Sequence, residues 1–196
     1  MKPWLLNILA CPMCKHHPLT AYIFSWETSS EEAARIVEEA GRPKEEYRRA
    51  YRHTVRQLMD GTLSMEAMKA INDLSGNEHT ARMLERVLEC LERLFSAKSE
   101  MSSDRILKEM LPDVDVAYRY MNLLEVDCGI LFCPNCMRWY PIGSSVPTVP
   151  EMLPDDLRDK KKDLEFLSRW REKVPEVVLT EGKPHTLGAT PPRASS

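Results

Sequence analysis

The chain has 196 residues, 43% hydrophobic and 29% charged, the proportions of one globular domain or of a small domain carrying an insertion. Its 27 basic and 30 acidic residues give a net charge of −3, which lacks the basic excess of a phosphate-tracking surface. Its seven glycines form no GxGxxG or GxxxxGKS/T loop, and no run of about 18 apolar residues could span a membrane, which argues against a self-sufficient nucleotide-dependent enzyme and against a membrane protein.

Taken in order, residues 1–11 superficially resemble a lipoprotein signal. The single Lys2 and the interruption at Asn7 leave its apolar core too short, and a short helix or turn over 4–9 is expected instead. A first knuckle follows, Cys11-Pro12-Met13-Cys14, and then a strand over 19–26, bounded by Pro18 and rich in β-formers (Tyr22, Ile23, Phe24, Trp26). From 28 to 122 the pattern is helical. Ser29 or Ser30 with Glu31 and Glu32 caps a first helix that ends at Gly41. Pro43 opens a second, in which Tyr51, Val55 and Leu58 recur at helical spacing until Gly61. Thr62 or Ser64 starts a third, which stops near Gly76. Asn77 caps a fourth, whose stripe of Leu84, Val87, Leu88, Leu91, Leu94 and Phe95 is the best in the chain. A fifth runs over 103–110 until Pro112, and 113–122 is helical as well.

Beyond the helices, 124–132 alternates, with Leu124, Val126, Cys128, Ile130 and Phe132 on one parity and mostly polar residues on the other. That predicts a strand with one apolar face. The second knuckle, Cys133-Pro134-Asn135-Cys136, leads into a strand over 138–142, so strand, knuckle and strand read as a zinc-ribbon hairpin. A last helix is expected over 155–173. Its run Lys160-Lys161-Lys162 sits in a stretch, 151–173, with seven acids and seven bases, so it reads as a solvated face. After about Thr180 the composition predicts disorder.

Two CxxC pairs supply four thiolates, the complement of a closed tetrahedral Cys₄ zinc site, so Cys11, Cys14, Cys133 and Cys136 are the expected metal ligands. A thiol oxidoreductase would need its CPxC to open a helix. Pro18 blocks a helix after the first knuckle, and a β-type run follows the second. Four sulfurs close the site, which leaves His16 and His17 outside it; Cys128 reads as a strand side chain and Cys90 as a small buried hydrophobe. The 118 residues between Cys14 and Cys133 raise the loop-closure cost by only about 2 kcal/mol over a dozen-residue loop. Structural zinc supplies about 10–16 kcal/mol, so the metal can staple the two chain ends together.

At these residues, in Lys2–Leu19 (KPWLLNILACPMCKHHPL) and Leu123–Arg158 (LLEVDCGILFCPNCMRWYPIGSSVPTVPEMLPDDLR), the sequence resembles the zinc-binding methyltransferase activator subunits of archaea and eukaryotes. The resemblance implies zinc on the two knuckle pairs and a helical domain of variable size between them. It also implies a role in binding and activating S-adenosylmethionine-dependent methyltransferases of tRNA, rRNA or translation release factor. Met137 stands where family members often carry glycine.

The expected fold is therefore α+β: a zinc-ribbon-like small domain formed by both chain ends (1–27 and 123–153), an inserted helical domain (28–122), a C-terminal helix (154–175) and a flexible tail (176–196). The expected function is that of a non-catalytic subunit, cytoplasmic and heterodimeric with the methyltransferase, that meets RNA only through its partner. A zinc-ribbon protein binding RNA directly is the alternative. Partner-binding residues are expected in the apolar run after the second knuckle: Trp139, Tyr140, Ile142, Val146, Val149, Met152 and Leu153. Trp139, Ile142, Val149 and Met152 are the expected anchors on an open strand edge suited to strand addition.

Overall fold

The structure, a computed structural model, describes residues 1–188. A four-stranded sheet in the order β2-β1-β3-β4 divides the molecule, with β1 at Thr20–Trp26, β2 at Ile71–Asp73, β3 at Val126–Phe132 and β4 at Trp139–Ile142. β1 and β3 are antiparallel, β3 and β4 form the antiparallel hairpin around the second knuckle, and β2 joins β1 in parallel. One face of the sheet packs on helices α1 (Ser30–Glu39), α2 (Arg48–Asp60), α3 (Met65–Lys69), α4 (Glu78–Ala97), α5 (Ser103–Glu109) and α6 (Leu111–Asn122). The other face packs on α7 (Lys160–Arg169) and α8 (Glu176–Glu181).

Local chemistry sets most helix ends. Ser29 Oγ accepts the Glu32 N–H, Ser64 Oγ that of Ala67, and Ser102 Oγ that of Arg105, while Asn77 Oδ1 takes both His79 and Thr80. Each satisfies an N–H that the helix itself leaves unpaired. Gly61 ends α2 at φ 82°, the left-handed conformation that glycine enters without steric cost.

The third helix expected to run towards Gly76 stops at Lys69, because Ile71 pairs with Ala21 and extends the sheet. The stretch between the knuckles thus contributes a strand, and its helices share one hydrophobic core with Leu19, Ala21, Ile23, Leu131 and Ile142 of the chain ends. The expected one-faced apolar strand in β3 is buried on both faces. A register shift between Ile23 and Trp26 places Val126 against the six-helix side, while Cys128, Ile130 and Phe132 face α7 and α8. Gly129 lies under the Tyr22 carbonyl, where a Cβ would collide with backbone.

A buried polar network ties the helical layer together. Asp115 of α6 accepts from Tyr51 Oη (2.6 Å), the Gly41 N–H (2.8 Å) and Arg119 Nε (2.9 Å), and Arg119 Nη1 reaches Glu39 at 2.9 Å. Asp115 and Arg119 are both fully buried, so each is the other's necessary counter-charge.

The C-terminal expectation needs correction. The helix expected over 155–173 begins as a single 3₁₀ turn, Asp155–Leu157, and becomes α-helical only where Asp159 caps Lys161 and Lys162. Residues from 176 onward, expected as a tail, form α8 and an ordered segment through Gly188. Val178 and Leu179 carry enough apolar surface to pack against Trp139, Phe166 and Leu167. The remainder of the expected tail, 189–196, lies outside the described residues.

Candidate metal centre and the adjoining surface

The four knuckle cysteines come together as the sequence spacing predicts. Their sulfurs all lie within 4.8 Å of one another, with Cys11 Sγ 3.6 Å from Cys136 Sγ and Cys14 Sγ 3.5 Å from Cys133 Sγ. A tetrahedral ion with metal–sulfur bonds of about 2.3 Å requires sulfur–sulfur separations of about 3.8 Å, so the donor set fits a closed four-thiolate site.

Both knuckles are built to one pattern. Cys11 N–H donates to His16 O and Lys15 N–H returns to Cys11 O (2.9 and 2.8 Å); Cys133 N–H donates to Arg138 O and Met137 N–H to Cys133 O (2.8 and 2.9 Å). The residue after each second cysteine is left-handed, Lys15 at φ 62° and Met137 at φ 63°. That conformation costs an L-residue about 1–2 kcal/mol and is free for glycine, so Met137 occupies a position where glycine would be the unstrained choice.

Groups around the sulfurs tune them unequally. Burial opposes ionisation of Cys11, but the Tyr140 hydroxyl, 3.2 Å from its sulfur, and backbone N–H groups of Cys14 and Met13 outweigh burial and lower its pKa. The Asn135 side chain and the His16 N–H lower that of Cys14 to about 6. Cys133, fully buried, is pushed up to about 12 by desolvation. Tyr140, Asn135 and His16 are thus outer partners that would hold thiolates in place around an ion.

The expected partner-binding residues divide into two groups. Trp139, Tyr140 and Ile142 are buried. Trp139 lies under the C-terminal segment, with its ring stacked on Phe166 at 6.1 Å and its Nε1 donating to His185 O at 2.9 Å. The Arg158 guanidinium sits 4.5 Å from the centre of that ring and donates to Trp139 O at 2.7 Å. Ile142 faces the six-helix core. In contrast, Val146, Val149 and Leu153 are 54%, 44% and 40% exposed in the loop after β4, and Met152 is half-buried against the core.

The strand edge expected to be open is closed. Lys183 N–H donates to Met137 O and Lys183 O accepts from the Trp139 N–H, as a short parallel addition to the start of β4. At the other end of β4, Gly143 N–H donates to Val149 O and Glu151 N–H to Pro141 O. Asp163 anchors the arrangement: buried itself, it pairs with Arg158 and with His185 Nδ1, each at 2.7 Å.

Sequence reasoning did not foresee Tyr140 as a neighbour of a metal ligand. The signal was available in strand parity: in β4, Trp139 and Tyr140 must face opposite sides of the sheet, so only one of them could lie on the surface given to a partner. Cys90 and Cys128, read from sequence as non-ligands, lie outside the four-sulfur group and are buried.

The arrangement defines a mixed α+β protein whose two chain ends meet at one four-cysteine centre. The family model for Trm112p-like proteins matches residues 2–143, and the chain belongs to that family, a family of methyltransferase activators. No curated protein and no solved structure matches the chain. The loop bearing Val146, Val149 and Leu153, together with α7, α8 and the segment on β4, lies beyond the matched residues.

Proposed function

We propose that the protein is a non-catalytic activating and stabilising subunit of S-adenosylmethionine-dependent methyltransferases that modify tRNA, rRNA or translation release factor. In this reading Cys11, Cys14, Cys133 and Cys136 hold one structural Zn²⁺. The observation that carries the reading is the four-sulfur cluster within the segment matched by the activator family. When bound, zinc cross-links the chain ends and thereby fixes the β3–β4 hairpin; the protein's own residues supply everything the partner touches. Reduced, metal-held thiols also fit a cytoplasmic site of action.

The partner surface is the loop after β4. Val146, Val149 and Leu153 present exposed apolar side chains close to one another in sequence, with Ser145, Thr148 and Glu151 between and beside them, and Met152 ties the loop to the core. A methyltransferase that covers this loop needs no rearrangement of Trp139 or Ile142.

The test is a tagged pull-down from the native cell's lysate, with mass spectrometry and metal analysis on one eluate. One or more methyltransferases recovered with about one zinc per chain, and lost on Val149→Asp/Leu153→Asp while zinc stays bound, supports the reading. Unchanged recovery with the double variant removes the loop from the interface, and an eluate without any methyltransferase removes the activator role.

A further inference from the structure

Helix α2 carries a second surface that neither the metal centre nor the partner loop uses. Its inner face is buried through Tyr51, Thr54, Val55 and Leu58. Its outer face presents Arg49, Arg52, His53 and Arg56, all exposed, at positions i, i+3, i+4 and i+7, which places them on a single stripe. These four alone line a surface depression of about 490 Å³.

The stripe runs against the charge of the whole. The protein is net acidic, and several of its other exposed arginines are paired, Arg48 with Glu45 at 3.0 Å, Arg93 with Asp113 at 2.7 Å and Arg105 with Glu109 at 2.9 Å, while Arg35, Arg42, Arg82 and Arg169 are exposed singly elsewhere. Among the described residues, Arg49, Arg52 and Arg56 have no such carboxylate partner. The nearest acid on the helix, Asp60, gives one oxygen to the Thr62 N–H at 2.9 Å and, with Asp104 of α5, lines a second depression shared with Arg52 and Arg56, without forming an ion pair to either. Leaving three guanidiniums unpaired on one rigid face maintains a local positive potential, the footprint that a polyanion recognises.

The spacing narrows the class of polyanion. Arg49 to Arg56 covers about 10 Å of helix axis, the length over which one strand of a duplex presents about three phosphates. Apart from the small ring of His53, the stripe contains no Phe, Tyr or Trp platform to stack a base and no buried apolar anchor of the kind that dominates protein–protein contacts. What remains is guanidinium chemistry, which grips phosphate oxygens and does not read bases.

We infer that Arg49, Arg52 and Arg56 form a sequence-independent docking site for an RNA phosphodiester backbone. This revises the expectation that RNA is met only through the partner, and it places the site on the helical layer rather than on the zinc ribbon. Resting on the activator reading, the RNA is the substrate being methylated, and α2 adds a handle that the catalytic subunit lacks.

The experiment measures binding of the full-length, zinc-loaded chain to an unmodified tRNA transcript as a function of salt. Three phosphate contacts make affinity fall about 20- to 40-fold between 50 and 200 mM salt. The variant Arg49→Gln/Arg52→Gln/Arg56→Gln loses that salt dependence and a comparable factor of affinity at 50 mM. Its circular dichroism is unchanged because the three side chains are exposed. The control Lys160→Gln/Lys161→Gln/Lys162→Gln removes the same charge elsewhere and keeps wild-type binding.

No binding by the wild type at 50 mM salt, an unchanged slope in the arginine variant, or an equal loss in the lysine control each overturns the inference. So does a polyglutamate peptide that competes more strongly than RNA, which would assign the stripe to an acidic protein. A chain that binds no RNA yet recovers a methyltransferase defeats this inference and leaves the activator reading standing. A chain that binds RNA but recovers no methyltransferase does the reverse.

Discussion

Replacing Trp139 by alanine separates two accounts of the surface beside the metal centre. As an exposed anchor awaiting a partner, Trp139 would be dispensable to the free protein, and its loss would change stability by no more than about 0.5 kcal/mol. The structure instead buries the ring completely between Phe166, Arg158 and the His185 carbonyl. Removing a buried tryptophan costs about 3–5 kcal/mol through lost transfer energy and the cavity left behind. The cation–π contact and the indole hydrogen bond lie inside that figure, because such contributions do not add independently. A loss of about 4 kcal/mol is a large share of a typical domain's 5–15 kcal/mol. Trp139→Phe keeps most of the area and forfeits the indole N–H, so it costs about 1–2 kcal/mol. Urea denaturation of the metal-loaded chain reads both numbers, and limited proteolysis reads their location, with cleavage within 176–188 appearing first in Trp139→Ala. A loss below 1 kcal/mol for Trp139→Ala, with 176–188 still protected, would refute the packing argument.

Three other outcomes are expected. Cys11→Ser or Cys136→Ser lowers bound zinc below about one per chain and, because both chain ends share a core with the helical layer, lowers the thermal midpoint of the whole protein. A metal-free protein with the wild-type midpoint would exclude a structural metal. Asp115→Ala leaves the Arg119 charge buried with only Glu39 to face it, at a cost of about 3–5 kcal/mol by denaturation. Arg119→Met in the same chain recovers part of that loss, and equal losses for single and double variants would contradict a paired network. At alkaline pH, burial raises Cys90 and Cys128 from about 9 to about 12. The native state therefore keeps protons that the unfolded chain releases, and stability present below pH 9 is lost as the pH rises. Each thiol contributes about 1.4 kcal/mol per pH unit. A denaturation midpoint that is flat from pH 8 to pH 11 would contradict the burial of both thiols.

Some of this was legible in the amino-acid sequence because the chemistry is local. Two CPxC knuckles declare a four-thiolate centre wherever the intervening chain goes, since only the spacing within each knuckle matters to the metal. The helix start at Asn77 was legible for the same reason, and those at Ser29 and Ser64 were legible to within two residues (Ser29 or Ser30, Thr62 or Ser64): a cap acts within three residues. What failed was the prediction of what covers what. The strand Ile71–Asp73 was hidden inside a helical pattern because three residues are too few to show a period. The apolar run after Cys136 looked like a partner surface because its covering residues, Phe166, Val178 and Leu179, lie far along a chain whose end reads as polar and proline-rich. Similarly, the unpaired arginines of α2 are invisible to a net charge, which averages them with acids on other faces.

The closure of β4 by Lys183 at one end and by Val149 and Glu151 at the other reaches beyond this molecule. An unpaired strand edge is a template for a second copy of the same chain, and proteins that leave one exposed risk growing sheets across molecules. Here the outer edge of β4 is occupied from within, and the opposite edge is a strand of three residues, Ile71–Asp73. The β4 edge therefore ends inside its own polypeptide, and the β2 edge is too short to serve as much of a template. Removal of residues 176–188 by a protease would expose the start of β4 together with the Trp139 ring, turning a self-terminated sheet into a seed for association.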